Sequence, residues 1–455
     1  MAGTPFPYPK SSTPGSRDGE GEGRYMNCAP VTEGERSYVR PVSGLALLVH
    51  TDKIGIRGLL DVDGVIYVVW TGSVVTVTGT SVATLIGSIP GSDGVTLARN
   101  KRVTGGVATP DVVAVRESGG AFLLTSSTVS AYPDADLPAT ANSVVFLDGF
   151  LLFSIPDGRM FASELNSTDV NALSFATAEA RADDLRRIIV RGDIAYAMGG
   201  TTIEPWKNEG LSPFPLLRQA TVMQVGLLTT MAAAGFEDSW NAPTYFASAD
   251  GRVMALVGFE VAAASTPDVD RFIAASTPSA IEVAAFVYKG RSFIAVSSDI
   301  GSWVLDVEGR NWHERSSTGT NRWRVKCSAP SGDRWVFGDV LSGDLLVMSD
   351  GLTENGAALG GFIQSGQMKD FPAHIAAKLQ AEFTKANVPV FVSWSRDGGE
   401  NWSVELEKSL AFGEISVASL GRSGPQGLIV KFRWEGGADF SFMGATATRA
   451  DARAA

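Results

Sequence analysis

Short apolar runs separated by glycine turns are the dominant pattern along this chain. One unit places Asp63-Gly64 before Val65-Ile66-Tyr67-Val68-Val69-Trp70, then Thr71-Gly72-Ser73, then Val74-Val75-Thr76-Val77. Runs of this length between turn residues read as β-strands joined by tight hairpins, where glycine supplies the positive φ that the turn requires. The same grammar returns before Ala121, Phe150, Ile194, Arg252, Arg291 and Arg334, with Gly120, Gly149, Gly192, Gly251, Gly290 and Gly332 in the turns. The mean step between these glycines is about 45 residues, close to the roughly 40–50 of one four-stranded propeller blade. The steps are uneven, so inserts decorate some blades. A single blade is too thin to bury both faces, and stacking blades around an axis buries them. The fold class is therefore all-β, a β-propeller of six or seven blades. A pair of β-sandwiches with incidental hairpins is the other architecture the pattern allows.

The pattern changes at both ends. Residues 1–40 show little periodicity and are expected to form an extended N-terminal arm that becomes ordered against a partner. The propeller is assigned to 41–350. Residues 351–372, rich in Gly, Ser and Ala, read as a connection. Strand-like runs at 375–383, 388–394, 403–406, 415–420, 428–434 and 440–443 predict a compact C-terminal β domain within 351–455, docking with the arm onto neighbouring components. The one helix predicted is a short stretch at 176–187, on the strength of its Ala, Glu, Leu and Arg content.

Composition sharpens this picture. The 455 residues include 50 glycines and only two cysteines, Cys28 and Cys327, in no metal or redox spacing. Disulfides do not frame the fold. The net charge of −11 argues against a general nucleic-acid binder. It is compatible with a channel for DNA, since an acidic wall repels phosphate. No run is long and apolar enough for a membrane span, and no secretory signal is visible near the start.

Candidate chemistry is sparse. Ser395-Arg396-Asp397-Gly398-Gly399-Glu400-Asn401-Trp402 fits the Asp-box pattern S-x-D-x-G-x-[ST]-W except at Asn401. Its expected role is a structural turn built from Ser395, Asp397, Gly399 and Trp402: the Asp397 carboxylate accepts backbone N–H bonds across the turn, glycine takes the strained dihedral, and Trp402 packs underneath. Sialidase-like propellers carry such boxes away from their active sites. Glu179 and Asp183-Asp184 offer carboxylates, with no pairing readable from one sequence. His50, His313 and His374 have no second histidine at metal-ligand spacing, and His313 is expected to be a packed residue. The Gly19–Gly23 run lacks the preceding strand a phosphate loop needs, and its glutamates repel phosphate. No catalytic residue, cofactor or metal site is assigned, and the chain is expected not to be an enzyme.

Several segments, in order, carry a family resemblance. They are Arg24-Tyr25-Met26-Asn27-Cys28-Ala29-Pro30, Arg57–Gly64, Val144–Phe150 with Phe161-Ala162-Ser163 and Phe175–Glu179, Thr202–Trp206 with Pro213-Phe214-Pro215, Trp312–Arg315 with Trp323-Arg324 and Gly338-Asp339, and Ser395–Trp402 with Leu420-Gly421-Arg422. This series resembles the packaged-DNA stabilisation proteins, the tail hub or nozzle components of short-tailed bacteriophages. Cys28-Ala29-Pro30 and Pro205 depart from the family pattern. The resemblance implies a virion tail protein, made in the bacterial cytoplasm, that forms a hexameric ring below the portal and head-to-tail adaptor. Such a ring holds packaged double-stranded DNA, conducts it during ejection, and supports tail spike, fibre or needle proteins. It also implies that Arg24, Tyr25 and Asn27 belong to an inter-subunit arm. Two other readings stand beside it: a glycan-binding or sialidase-like propeller, and a propeller interaction module of unassigned role. An arginine cluster facing a tyrosine in the propeller mouth would favour the sialidase-like reading.

Overall fold

The computed structural model describes residues 3–16, 21–34, 36–79, 84–178, 183–369, 371, 375–437 and 439–449. His374 and Glu179, weighed above, lie outside them, as do Gly19 and Glu20.

Seven four-stranded antiparallel blades form the propeller, five as separate sheets, the sixth continuous through Met26 and Glu314 with a sheet of the C-terminal domain, and the seventh within a six-stranded sheet. In chain order the first five blades span residues 56–87, 95–131, 143–177, 185–218 and 233–263. The sixth spans 282–314. The seventh takes three strands from 325–349 and its fourth, Gly44–His50, from before the first blade. Around the axis the first strands of neighbouring blades pack on one another, from the fifth blade through the seventh and first to the fourth. Burial is arranged as layers between blades: one cluster joins Val68, Trp70 and Val336, the next Val69, Val112 and Ala114, the next Val113, Leu151 and Phe153.

Each glycine turn read from the sequence marks one blade, which settles the count at seven. Five join first and second strands. Gly119-Gly120 and Asp250-Gly251 join second and third strands, which accounts for the uneven spacing. At Asp63-Gly64 both residues have positive φ, +53° and +87°, as a two-residue hairpin of primed type requires.

Two expectations are corrected. The described residues of the stretch 176–187 are not helical, and 179–182 lie outside them. The stretch carries the end of strand Val170–Thr177 and the start of strand Leu185–Arg191, because Leu185, Ile188 and Ile189 bury as an inner strand does. The α-helix lies instead at Pro267–Ala275, between the fifth and sixth blades, with Pro in its first turn, Asp268 and Asp270 beside it, and Val269, Phe272 and Ile273 turned inward.

The arm expected at 1–40 is not free either. Strands Gly23–Met26, Cys28–Glu33 and Arg36–Pro41 enter a two-sheet sandwich together with the C-terminal strands. One sheet orders Cys28–Glu33, Arg36–Pro41, Phe442–Arg449, Ala377–Phe383 and Glu414–Val417, with Thr4–Pro5 paired to the far end of 442–449. The other orders Gly23–Met26, Gly361–Ser365, Ile429–Trp434, Pro389–Ser395 and Leu406–Ser409. Phe6, Tyr25, Cys28 and Val39 supply part of the core, against Phe383, Phe432, Trp434 and Phe442. These apolar residues draw the arm onto its own chain. The stretch 351–372 is likewise more than a connection, since Gly361–Ser365 is an internal strand of that sandwich.

The closing strand carries a titratable clasp. His50 Nδ1 lies 2.5 Å from Asp344 Oδ1 on the strand it pairs with, and Nε2 lies 2.7 Å from Asp52. Hydrogen bonds to the two carboxylates raise the His50 pKa above its usual 6.5. A raised histidine stabilises the fold fully below the unfolded value and loses that contribution as pH rises through the folded one. The melting temperature of the parent chain should therefore exceed that of His50→Gln most at about pH 6, and the gap should narrow towards about pH 9. A calorimetric pH series checks this.

Candidate functional site

The first strands of all seven blades enclose an axial cavity of about 900 Å³. Cations face it, but they are committed to the scaffold. Arg57, fully buried, donates from Nε to the carbonyl of Asp93 at 2.7 Å, from Nη1 to that of Ile89 at 2.7 Å, and from Nη2 to that of Pro90 at 3.1 Å. Arg187 donates to the Thr230 carbonyl at 2.8 Å and lies over the Phe236 ring. Arg191 donates to the Trp240 and Ala242 carbonyls at 2.6 and 3.0 Å. Each guanidinium ties its strand to the segment leading into the next blade or to that blade itself. Lys326 pairs with Glu282 at 3.0 Å, and Arg99 with Asp63 at 3.4 Å.

Burial pushes the Arg187 guanidinium down to about 10 and raises Glu117 and Glu237, with Arg187 opposing the rise in both carboxyls. Met231 fills space beside Gly94, where a Cβ would stand 2.4 Å from its side chain. The cavity is thus a mixed-charge, partly filled core. No tyrosine is among the described residues that line it.

The Asp-box turn lies in the sandwich, between strands Pro389–Ser395 and Leu406–Ser409, and not on a propeller blade. Gly399 N–H donates to Ser395 Oγ at 2.8 Å, and Asn401 N–H donates to Asp397 Oδ1 at 2.9 Å. Asn401, the departure from the pattern, also donates its side-chain amide to Asp397 Oδ2 at 2.7 Å. These bonds hold the Asp397 carboxyl down at about 2. Trp402 differs from expectation. It is 37% exposed, with its indole N–H on the Gly399 carbonyl at 3.1 Å and Lys431 Nζ 5.7 Å from its ring centre.

Arg24, Tyr25 and Asn27 come together where the sandwich meets the sixth blade. Arg24 makes a two-point ion pair with Glu314, at 3.0 and 2.6 Å, and Ser12 Oγ donates to the same carboxylate at 2.7 Å. Tyr25 is buried, its hydroxyl on the Pro9 carbonyl. Asn27, at φ +55°, donates to the carbonyls of Ser316 and Gly360 and accepts from the Ser316 N–H. Their side chains are engaged inside the chain. Beside them, Glu354 accepts from Arg315, Trp323 and Ser317 in a fully buried cluster. His313 is buried and held neutral, its pKa lowered to about 3 by burial and then by Arg315.

Sequence reasoning missed Arg57, Arg187 and Glu354. An arginine inside an apolar inner strand, as in Ile56-Arg57-Gly58, was the available signal.

A family model described as bacteriophage P22 Gp10, β-propeller, matches residues 26–351. The chain belongs to that family. The matched span in this P22 Gp10-type propeller covers all seven blades and the closing strand. No curated protein matches at a significant level. Among solved structures, PorZ of Porphyromonas gingivalis is 12% identical, with 80% of this chain covering 46% of that one at a TM-score of 0.40. This chain therefore spans less than half of PorZ. BamB from Moraxella catarrhalis is 12% identical over 70% of this chain and 93% of that one, TM-score 0.40. The WD40 β-propeller domain of Doa1 is 10% identical over 68% and 97%, TM-score 0.42. At these scores the solved structures carry no argument. The fold rests on the strand pairing and the family match.

Two outcomes follow. Arg57→Ala strands three carbonyls and should cost about 3 kcal/mol in urea unfolding. Asp397→Ala removes the turn's acceptor and should cost about 1 kcal/mol.

Proposed function

We propose that this chain is a structural component of a short-tailed phage tail, and that several copies, six in the family-based reading, form a ring that retains packaged DNA and conducts it on ejection. The observation that carries this reading is the family match across the whole propeller. The cavity supports its geometry. A duplex whose major groove alone is about 12 Å wide cannot enter a mixed-charge space of this size between seven strands. On this reading the DNA path runs between copies rather than through one.

A ring needs a heterologous interface, with different patches meeting on neighbouring copies. The propeller and the sandwich, tied by the Arg24–Glu314 junction, offer two such bodies on one chain. On this reading the chain resides in the virion, below the portal and adaptor, and contacts spike, fibre or needle proteins. Its side chains stabilise layers and junctions rather than turn over a substrate.

Electron cryomicroscopy of the particle tests the reading. The chain should appear as a ring around a central opening that passes a duplex. Particles assembled without it should package DNA and then lose it. A chain that is absent from virions, or particles that retain DNA without it, would overturn the proposal.

A further inference from the structure

The outer face of the second sandwich sheet holds a cation–aromatic array that neither the propeller nor a tail ring accounts for. Strand registers place Arg24 opposite Gln364, Gln364 opposite Lys431, and Lys431 opposite Ser393. The next row runs Met26, Phe362, Arg433, Phe391. Adjacent positions in such a row lie about 5 Å apart, so the side chains interact directly. Lys431 Nζ stands 4.5 Å from the Phe362 ring centre and 5.7 Å from that of Trp402. Arg433 covers Phe391 at 4.5 Å.

The ion pairing is uneven. Arg24 is held by Glu314, and Arg433 by Glu405 and Glu435. Lys431 has no carboxylate partner among the described residues. Burial, with Arg24 and Arg433 beside it and Glu405 opposing, lowers its pKa. A half-buried ammonium among other cations favours an arriving anion. The side-chain amide of Gln364 makes no hydrogen bond among the described residues, leaving donors and an acceptor beside it.

Next to Lys431 is a small cavity of about 200 Å³, lined in part by Thr13, Gly23, Gln364, Trp402 and Lys431. That is the room of about seven waters, suited to one sugar ring and short of a drug-sized site. Trp402 forms one wall. Its indole is pinned at the nitrogen by Gly399 and stays 37% exposed beside the Lys431 ammonium, and a held, partly exposed indole offers a stacking edge before the ligand arrives. The Asp-box turn thus aims its tryptophan outward, over the lysine, instead of beneath itself.

We propose that this face binds an acidic saccharide unit, its ring on Trp402 and its carboxylate on Lys431 and Gln364. The site lies in the sandwich and stands independently of the ring reading.

Isothermal titration of the full chain with trigalacturonate, maltotriose and a thymidine hexanucleotide tests it. Trigalacturonate should bind at least about tenfold more tightly than maltotriose, and added salt should weaken it. Lys431→Met and Trp402→Ala should each reduce its affinity about tenfold or more while melting like the parent. Gln364→Leu provides a third variant should either melt early, and Lys53→Met, on the propeller, should bind unchanged. Absence of trigalacturonate binding, equal binding of maltotriose, or undiminished binding in the well-folded variants would overturn the proposal. Tighter binding of the hexanucleotide would also overturn it, assigning the face to single-stranded nucleic acid instead.

Discussion

A circle of blades is only as stable as its seam. Six blades here are contiguous in the chain, and the seventh borrows Gly44–His50 from upstream of the first. Without that pairing, Asp344–Ser349 is an open edge and the seventh blade is left with three strands. With it, Leu48 and Val49 enter the cluster that joins the two blades. The strand pair thus links local hairpins to a closed fold. The residues just before the closing strand pass directly into the sandwich, so closing the ring also places the second domain.

The glycine turns made the propeller legible because each blade repeats a local signal, a positive-φ turn before an apolar run. The blade number was left open because two of those turns sit one strand later in their blades, which distorts the period. The arm was illegible for a different reason. Its partners lie more than 300 residues away, at Gly361–Ser365 and Phe442–Arg449, and nothing local in Cys28-Ala29-Pro30 announces them. The helix at Pro267 did carry a local signal, Thr-Pro-Asp followed by apolar residues at helical spacing, and was readable. The segment 176–187 carries helix-favouring residues, yet its two described ends run in strands, because tertiary burial of Leu185 and Ile188 outweighs a propensity of a few tenths of a kcal/mol.

Among candidate site residues, the turn chemistry of Ser395, Asp397 and Gly399 was readable because it is local. The orientation of Trp402 was not, since it depends on Lys431 from another strand. The axial arginines show the same limit. Their charges count towards −11 for the chain, yet the structure uses them to satisfy carbonyls at blade boundaries, a role that no charge count reveals.

The sandwich recruits strands from both ends of the polypeptide, and this sets when it can form. Gly23–Met26 leaves the ribosome early and waits for Gly361–Ser365 and then Ile429–Trp434. At about 5–20 residues per second, that interval is on the order of half a minute. During it the blades can stack in turn, while Phe6, Tyr25 and Val39 remain without the core that will cover them. Assembly of the second domain therefore waits for its late strands, and until they arrive Phe6, Tyr25 and Val39 stay uncovered, a stage at which chaperones have the most to hold.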